Sequence, residues 1–169
     1  GTQELMRNRL CSLILATGGI DMVRAASSTG KPTIAVGPGN CPAYIDRSVA
    51  DPFEAVEMIV AGKTFDYSTG CACEQTIVVD KSISKSVREA LSNLGAHFLT
   101  PDESRQLESV LITRQGTPAP DSVGQSPHRL AELARISVPR EARLLLTELA
   151  GVGPEYPLSR EKLAPVLGY

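Results

Sequence analysis

The chain has 169 residues, of which 42% are hydrophobic and 21% charged, with a formal net charge of −2. That length can bury one full core, and the ordinary composition excludes a fibrous or disordered protein. Positive and negative residues are interspersed, so no basic patch points to nucleic acid, and no apolar run is long enough to cross a bilayer.

Leu13-Ile14-Leu15-Ala16 reads as a short buried strand. Thr17-Gly18-Gly19 then turns the chain into a helix from about Ile20 to Thr29, ended by Gly30 and Pro32. Thr33-Ile34-Ala35-Val36 is the next strand, which completes one βαβ-like unit. The glycine turn presents backbone N–H groups at a helix N-terminus, a place suited to a phosphate or a cofactor edge. Asp51-Pro52-Phe53-Glu54 opens a second helix, with Asp51 as cap and Pro52 in the first turn. Ala55, Val56, Ile59 and Val60 form its apolar face, and Gly62 is expected to stop it.

A loop around Cys71 leads into the strand Thr76–Val79. A helix follows from about Ser84 to Leu94, then a short strand His97–Leu99 and a helix from Thr100 to about Thr113. Gln115 to Gln125 is rich in Gly, Pro and Ser and reads as a surface loop. A short helix runs from Ser126 to near Arg135, and Arg143–Leu149 reads as a strand. Gly151 to Pro157 is a turn-rich connection. Strands and helices alternate, so the expected class is α/β: three α/β/α layers around a mostly parallel sheet.

The four cysteines, Cys11, Cys41, Cys71 and Cys73, show no CxxC pair and no Cys/His zinc spacing, so no metal is expected. A Cys71–Cys73 disulfide would close a very tight ring. A reducing, intracellular setting is therefore expected. Phe65-Asp66-Tyr67-Ser68-Thr69-Gly70-Cys71-Ala72-Cys73-Glu74-Gln75 places a thiol in a small-residue loop just before a β-branched run. Such a thiol is open to substrate yet held by a rigid element, as a covalent nucleophile must be. The competing reading is a small buried hydrophobe. Cys73 is the rival nucleophile; in an extended loop its side chain faces away from that of Cys71. Cys11 and Cys41 read as packing residues. His97 and His128 lie far from the cysteines and read as surface residues.

Several separated motifs agree with one family. They are Ile14-Leu15-Ala16-Thr17-Gly18-Gly19, Gly37-Pro38-Gly39-Asn40-Cys41-Pro42, Lys63-Thr64-Phe65-Asp66, Cys71-Ala72 with Glu74-Gln75, and Pro157 through Leu167. In this order and spacing the chain resembles the aldehyde dehydrogenase superfamily. More narrowly, it resembles the CoA-acylating branch: acetaldehyde dehydrogenases and the aldehyde dehydrogenase half of bifunctional aldehyde-alcohol dehydrogenases. The resemblance implies that Cys71 attacks an aldehyde, that its backbone N–H helps to stabilise the oxyanion, and that an acyl group leaves on coenzyme A.

It further implies that Thr17, Gly18 and Gly19 lie beside the nicotinamide of NAD or NADP, and that Glu161 contacts the adjoining ribose. Hydrolytic members of the superfamily carry a water-activating glutamate where this chain has Val36, and a valine cannot take a proton from water. Residues 1–36 then correspond to the last piece of a nucleotide-binding domain and residues 37–169 to the catalytic domain. The family enzymes have a nucleotide-binding region before the position of Gly1 and continue beyond that of Tyr169. A small aldehyde (acetaldehyde, sulfoacetaldehyde or propionaldehyde) and CoA are the implied partners. A homo-oligomer and a cytoplasmic or bacterial-microcompartment location are implied for the complete enzyme. The alternative is a non-catalytic scaffold domain that keeps the fold.

Overall fold

In a computed structural model that describes residues 1–169, the chain divides into two units, Gly1–Gly39 and Asn40–Tyr169. The first contains a helix α1 (Thr2–Arg7), a strand β1 (Ile14–Thr17), a helix α2 (Ile20–Ser27) and a strand β2 (Thr33–Val36). The two strands pair in parallel, from Ile14 opposite Thr33 to Thr17 opposite Val36. Alternation sends Ile14 and Ala16 into a small core with Met6 and Ala26. Leu15 and Ile34 face outward, 73% and 61% exposed. Helix α2 stops earlier than Thr29 because the Ser28 and Thr29 hydroxyls donate back to the carbonyls of Arg24 and Ala26, at 2.6 and 2.8 Å.

The second unit is built on five strands: β3 (Cys41–Ile45), β4 (Glu74–Val79), β5 (Ala96–Phe98), β6 (Leu144–Thr147) and β7 (Val166–Gly168). Their order is β3-β4-β7-β6-β5, with every pairing parallel. Helices α3 (Pro52–Thr64) and α4 (Ser84–Asn93) cover one face, and α5 (Pro101–Leu111) and α6 (Pro127–Ala134) the other. The alternation of β6 and β7 divides the core. Leu144, Leu146 and Leu167 meet Val56, Val60, Val87 and Leu91, whereas Leu145 and Val166 meet Leu107, Leu111 and Leu130. Strands buried on both faces carry continuous apolar runs, as Leu144-Leu145-Leu146 does. These are the three α/β/α layers expected.

Three further local features depart from the sequence reading. Helix α3 continues through Gly62 to Thr64. The Glu74 carboxylate lies over the helix there: a Cβ on Gly62 would sit 2.8 Å from its Oε2, so a larger residue would displace that side chain. Strand β3 was not anticipated, since Pro42 breaks its pattern; Pro42 is tolerated on this edge strand, beside a register shift at Cys41. Strand β7, three residues long, was also missed. No helix is long and apolar enough to cross a membrane.

In a parallel sheet all strand N-termini lie on one edge, and each following helix runs back towards that edge. The chain thus delivers the start of β3, the loop before β4, the segment before β7 and the C-terminal end of α3 to the same edge.

Candidate active site

Between α3 and β4 the backbone passes through three successive left-handed residues, Asp66, Tyr67 and Ser68, with φ of 47°, 48° and 63°. None is glycine, so each is held against a steric preference of about 1–2 kcal/mol. Part of the hold is visible: the Thr69 hydroxyl donates to the Asp66 carboxylate at 2.7 Å, and the Thr69 N–H to the Asp66 carbonyl at 3.2 Å. Ser68 is buried, and its hydroxyl has no hydrogen-bond partner. The turn ends at Gly70, whose carbonyl accepts from the Cys73 N–H at 3.1 Å, with Cys71 and Ala72 at the corner between them.

Cys71 is exposed on this corner, whereas Cys73 and Cys41 are half-buried. The expectation of an extended loop, with the two thiols on opposite faces, gives way to a tight turn. Burial rather than strand alternation separates them: a Cβ on Gly70 would lie 3.3 Å from Sγ of Cys73. The Cys41 thiol lies 3.9 Å from the Cys71 carbonyl, beneath the turn.

Under the turn lies a polar cluster whose members fall in the quoted family motifs but to which the sequence reading gave no role. Lys63, Gln75 and Lys162 are all fully buried. Gln75 Oε1 accepts from Lys63 Nζ at 3.3 Å and from the Lys162 N–H at 3.1 Å. Its Nε2 donates to the Cys73 carbonyl at 3.1 Å. Lys162 Nζ donates to the carbonyls of Leu158, Gln75 and Arg160, at 2.8, 2.9 and 2.9 Å, which accounts for all three protons of an ammonium. Burial pushes Lys63 down to about 8, against the upward pull of Cys73, Glu74, Glu161 and Cys41. Burial, and then the charge of Lys63, hold Lys162 well below the usual lysine range.

A signal for Lys63 was present in the sequence. It falls on the stripe Val56, Ile59, Val60, Lys63, at the i, i+3, i+4, i+7 positions of one helix face.

Glu161, half-buried, adjoins the moored Lys162. The structure therefore ties the Cys71 turn and the Glu161 segment to one buried side chain, Gln75. Thr17, Gly18 and Gly19 belong to the other unit, where Gly19 caps α2 without a side-chain bond and a Cβ on it would meet nothing within 4 Å. Val36 ends β2 with its side chain 52% exposed. His97 is half-buried in β5, and exposed His128 places Nε2 3.1 Å from the Pro139 carbonyl.

The layered parallel fold and the strained cysteine turn define a thiol-bearing α/β domain. Over nearly its whole length the chain is homologous to the CoA-acylating aldehyde dehydrogenases, of which it corresponds to a part. The aldehyde-alcohol dehydrogenase of Clostridium acetobutylicum is 41% identical over 166 residues, which is 98% of this chain and 19% of that protein. An acetylating aldehyde dehydrogenase from Geobacillus thermoglucosidasius superposes with a TM-score of 0.93 and 44% identity, over 99% of this chain and 36% of the other. A propionaldehyde dehydrogenase of Rhodopseudomonas palustris, solved with bound CoA and an acylated cysteine, gives a TM-score of 0.87 and 31% identity, covering 99% and 38%. The chain thus spans between about a fifth and two fifths of these relatives. No family model matches it.

Proposed function

We propose that this chain is the thiol-bearing part of an acylating aldehyde dehydrogenase, with Cys71 as its nucleophile. The observation that carries the reading is the placement of Cys71: an exposed thiol on a tight turn, held by a strained approach and a buried polar cluster. A scaffold that kept only the fold would have no use for a strained turn presenting a thiol.

The Cys71 thiolate adds to the carbonyl carbon of a small aldehyde, forming a C–S bond and moving the C=O electron pair onto oxygen. The Cys71 N–H, at a turn corner, is available to that oxygen. NAD or NADP supplies the acceptor for the two electrons that leave as hydride. Within the first unit Gly19 leaves open space at the start of α2, and within the second Glu161 carries a carboxylate of the chemistry that accepts from ribose hydroxyls. The product is a thioester on Cys71. The thiolate of CoA then attacks its carbonyl carbon and Cys71 leaves as thiolate, which regenerates the enzyme.

Val36, at the position of the water-activating glutamate, leaves no carboxylate to prepare water, so the thioester waits for CoA. On this reading residues 1–36 belong to the nucleotide-binding domain and residues 37–169 to the catalytic domain. The aldehyde is acetaldehyde, propionaldehyde or sulfoacetaldehyde.

In the complete enzyme, Cys71→Ala should abolish CoA-dependent aldehyde oxidation with the fold intact, while Cys73→Ala keeps most of it. Both variants are assayed by nicotinamide absorbance beside circular dichroism. A dead Cys73→Ala with a live Cys71→Ala would refute the assignment. Fast steady-state release of free acid by the parent without CoA would refute the acylating chemistry.

A further inference from the structure

The buried cluster beneath the cysteine turn has a connectivity that packing alone does not require. A primary amide offers two acceptor sites and two donors, and Gln75 uses three of the four. Two N–H donors from different parts of the chain, Lys63 on α3 and the backbone of Lys162, converge on Oε1. That convergence fixes which way round the amide lies, since a flipped NH2 would face both donors. Nε2 is left to hold the Cys73 carbonyl, two residues from Cys71. The main-chain carbonyl of Gln75 also receives Lys162 Nζ. One side chain therefore spans three separate stretches of sequence at the sheet edge where the site lies: the end of α3, the cysteine turn, and the segment that carries Glu161.

We infer that Gln75 is a positioning residue for the reaction at Cys71: its buried amide sets the spacing between the cysteine turn and the Glu161 segment. The inference rests on the acylating reading above, in which Cys71 holds the reacting carbon and Glu161 the ribose beside the hydride acceptor. Hydride transfer is steeply dependent on that spacing, and a displacement of about 1 Å can cost about 10²-fold. Gln75 touches neither substrate nor cofactor on this view; it acts through the Cys73 carbonyl and through Lys162. The titratable groups around it are those that act on Lys63, namely Cys73, Glu74, Glu161 and Cys41, together with Lys162.

The experiment uses the complete enzyme and three variants. Gln75→Glu keeps the length and the acceptor for Lys63 and Lys162, but turns an oxygen towards the Cys73 carbonyl and so frees the turn by repulsion. Gln75→Met removes every bond of the amide. Leu107→Val, in the core on the opposite face of the sheet, serves as a control for plain loss of stability. Two readouts are taken: the single-turnover rate of nicotinamide reduction at saturating aldehyde, and the rate of Cys71 alkylation by iodoacetamide, followed by peptide mapping.

Both Gln75 variants should lose about 10-fold or more of the single-turnover rate, with the nucleotide KM moved by less than about 3-fold and the alkylation rate altered by at least about 3-fold. Leu107→Val should keep the parent rates at equal or greater loss of stability. The inference is overturned if the Gln75 variants stay within about 2-fold of the parent, if Leu107→Val loses as much, or if the loss lies in the nucleotide KM alone. Should the parent reduce no nicotinamide with any aldehyde, the acylating reading fails. Alkylation then decides the positioning role separately, and an unchanged rate overturns it. If neither Gln75 variant folds, Lys63→Met, which releases one anchor, is read in the same way with about a 3-fold loss expected.

Discussion

Lys63 carries a charge that its surroundings disfavour. Burial brings it down from 10.5 to about 8, while the unfolded chain exposes the same ammonium to water. Below about pH 8 both states hold the proton, and the folded state bears the full desolvation penalty. Between about 8 and 10.5 the unfolded state binds more protons, so this residue makes stability rise with pH across that window. Lys63→Met should remove this residue's part of the rise and leave that of Lys162, whose folded value is also lowered. In urea unfolding of the 169-residue chain, the parent should gain on the variant between pH 8 and 10 by on the order of 3 kcal/mol at most. A constant difference across that range would show that Lys63 is not the titrating group. The cysteine turn was legible from small residues before a β-branched run. Gln75 stood out only as part of a family motif and its role was not legible, because a lone amide inside a strand gives no periodic signal, and its partners lie 12 and 87 positions away.

Helix starts were easier to read than helix ends, for a local reason. At Asp51-Pro52 and Thr100-Pro101 the cap and the proline are adjacent in sequence, and both helices begin there. Thr100 and Glu103 complete a reciprocal box: the Thr100 N–H donates to the Glu103 carboxylate at 2.8 Å, and the Glu103 N–H to the Thr100 hydroxyl at 3.3 Å. The Thr100 N–H and hydroxyl, both donating to the Glu103 carboxylate at 2.8 Å, hold it below the ordinary carboxylate range. Thr100→Ala should cost about 1 kcal/mol, measured as a lower urea midpoint at unchanged slope. A loss below about 0.3 kcal/mol would mean that water replaces the cap without penalty. The end of α3 was misread because a glycine inside a helix does not by itself stop it: Gly62 keeps helical backbone beneath the Glu74 carboxylate, twelve residues away. The stretch Asp66–Ser68 gave no warning of its left-handed backbone. Only Asp66 belongs to a residue type that adopts such angles readily, and what over-determines the others is tertiary.

At the scale of the whole molecule, alternating strands and helices disclosed the class, but not the sheet order. β7, the last strand, enters between β4 and β6, and only long-range pairing decides that. The five-stranded unit of residues 40–169 closes its own core on both faces, so it should fold without help. On the acylating reading, the 169-residue chain should nevertheless be inactive. It carries Cys71, Glu161 and the Thr17–Gly19 turn, yet it spans only 19% of its aldehyde-alcohol dehydrogenase relative and 36% of its acetylating one. The acceptor must be held against the adduct for hydride to move, and that seat is expected from the nucleotide-binding region the family resemblance implies. Purified residues 1–169, given aldehyde, CoA and NAD or NADP, should therefore produce no reduced nicotinamide above background, although iodoacetamide still labels Cys71. Robust turnover by the 169 residues would mean that they hold a complete nucleotide seat and that the division of labour proposed for residues 1–36 and 37–169 is wrong.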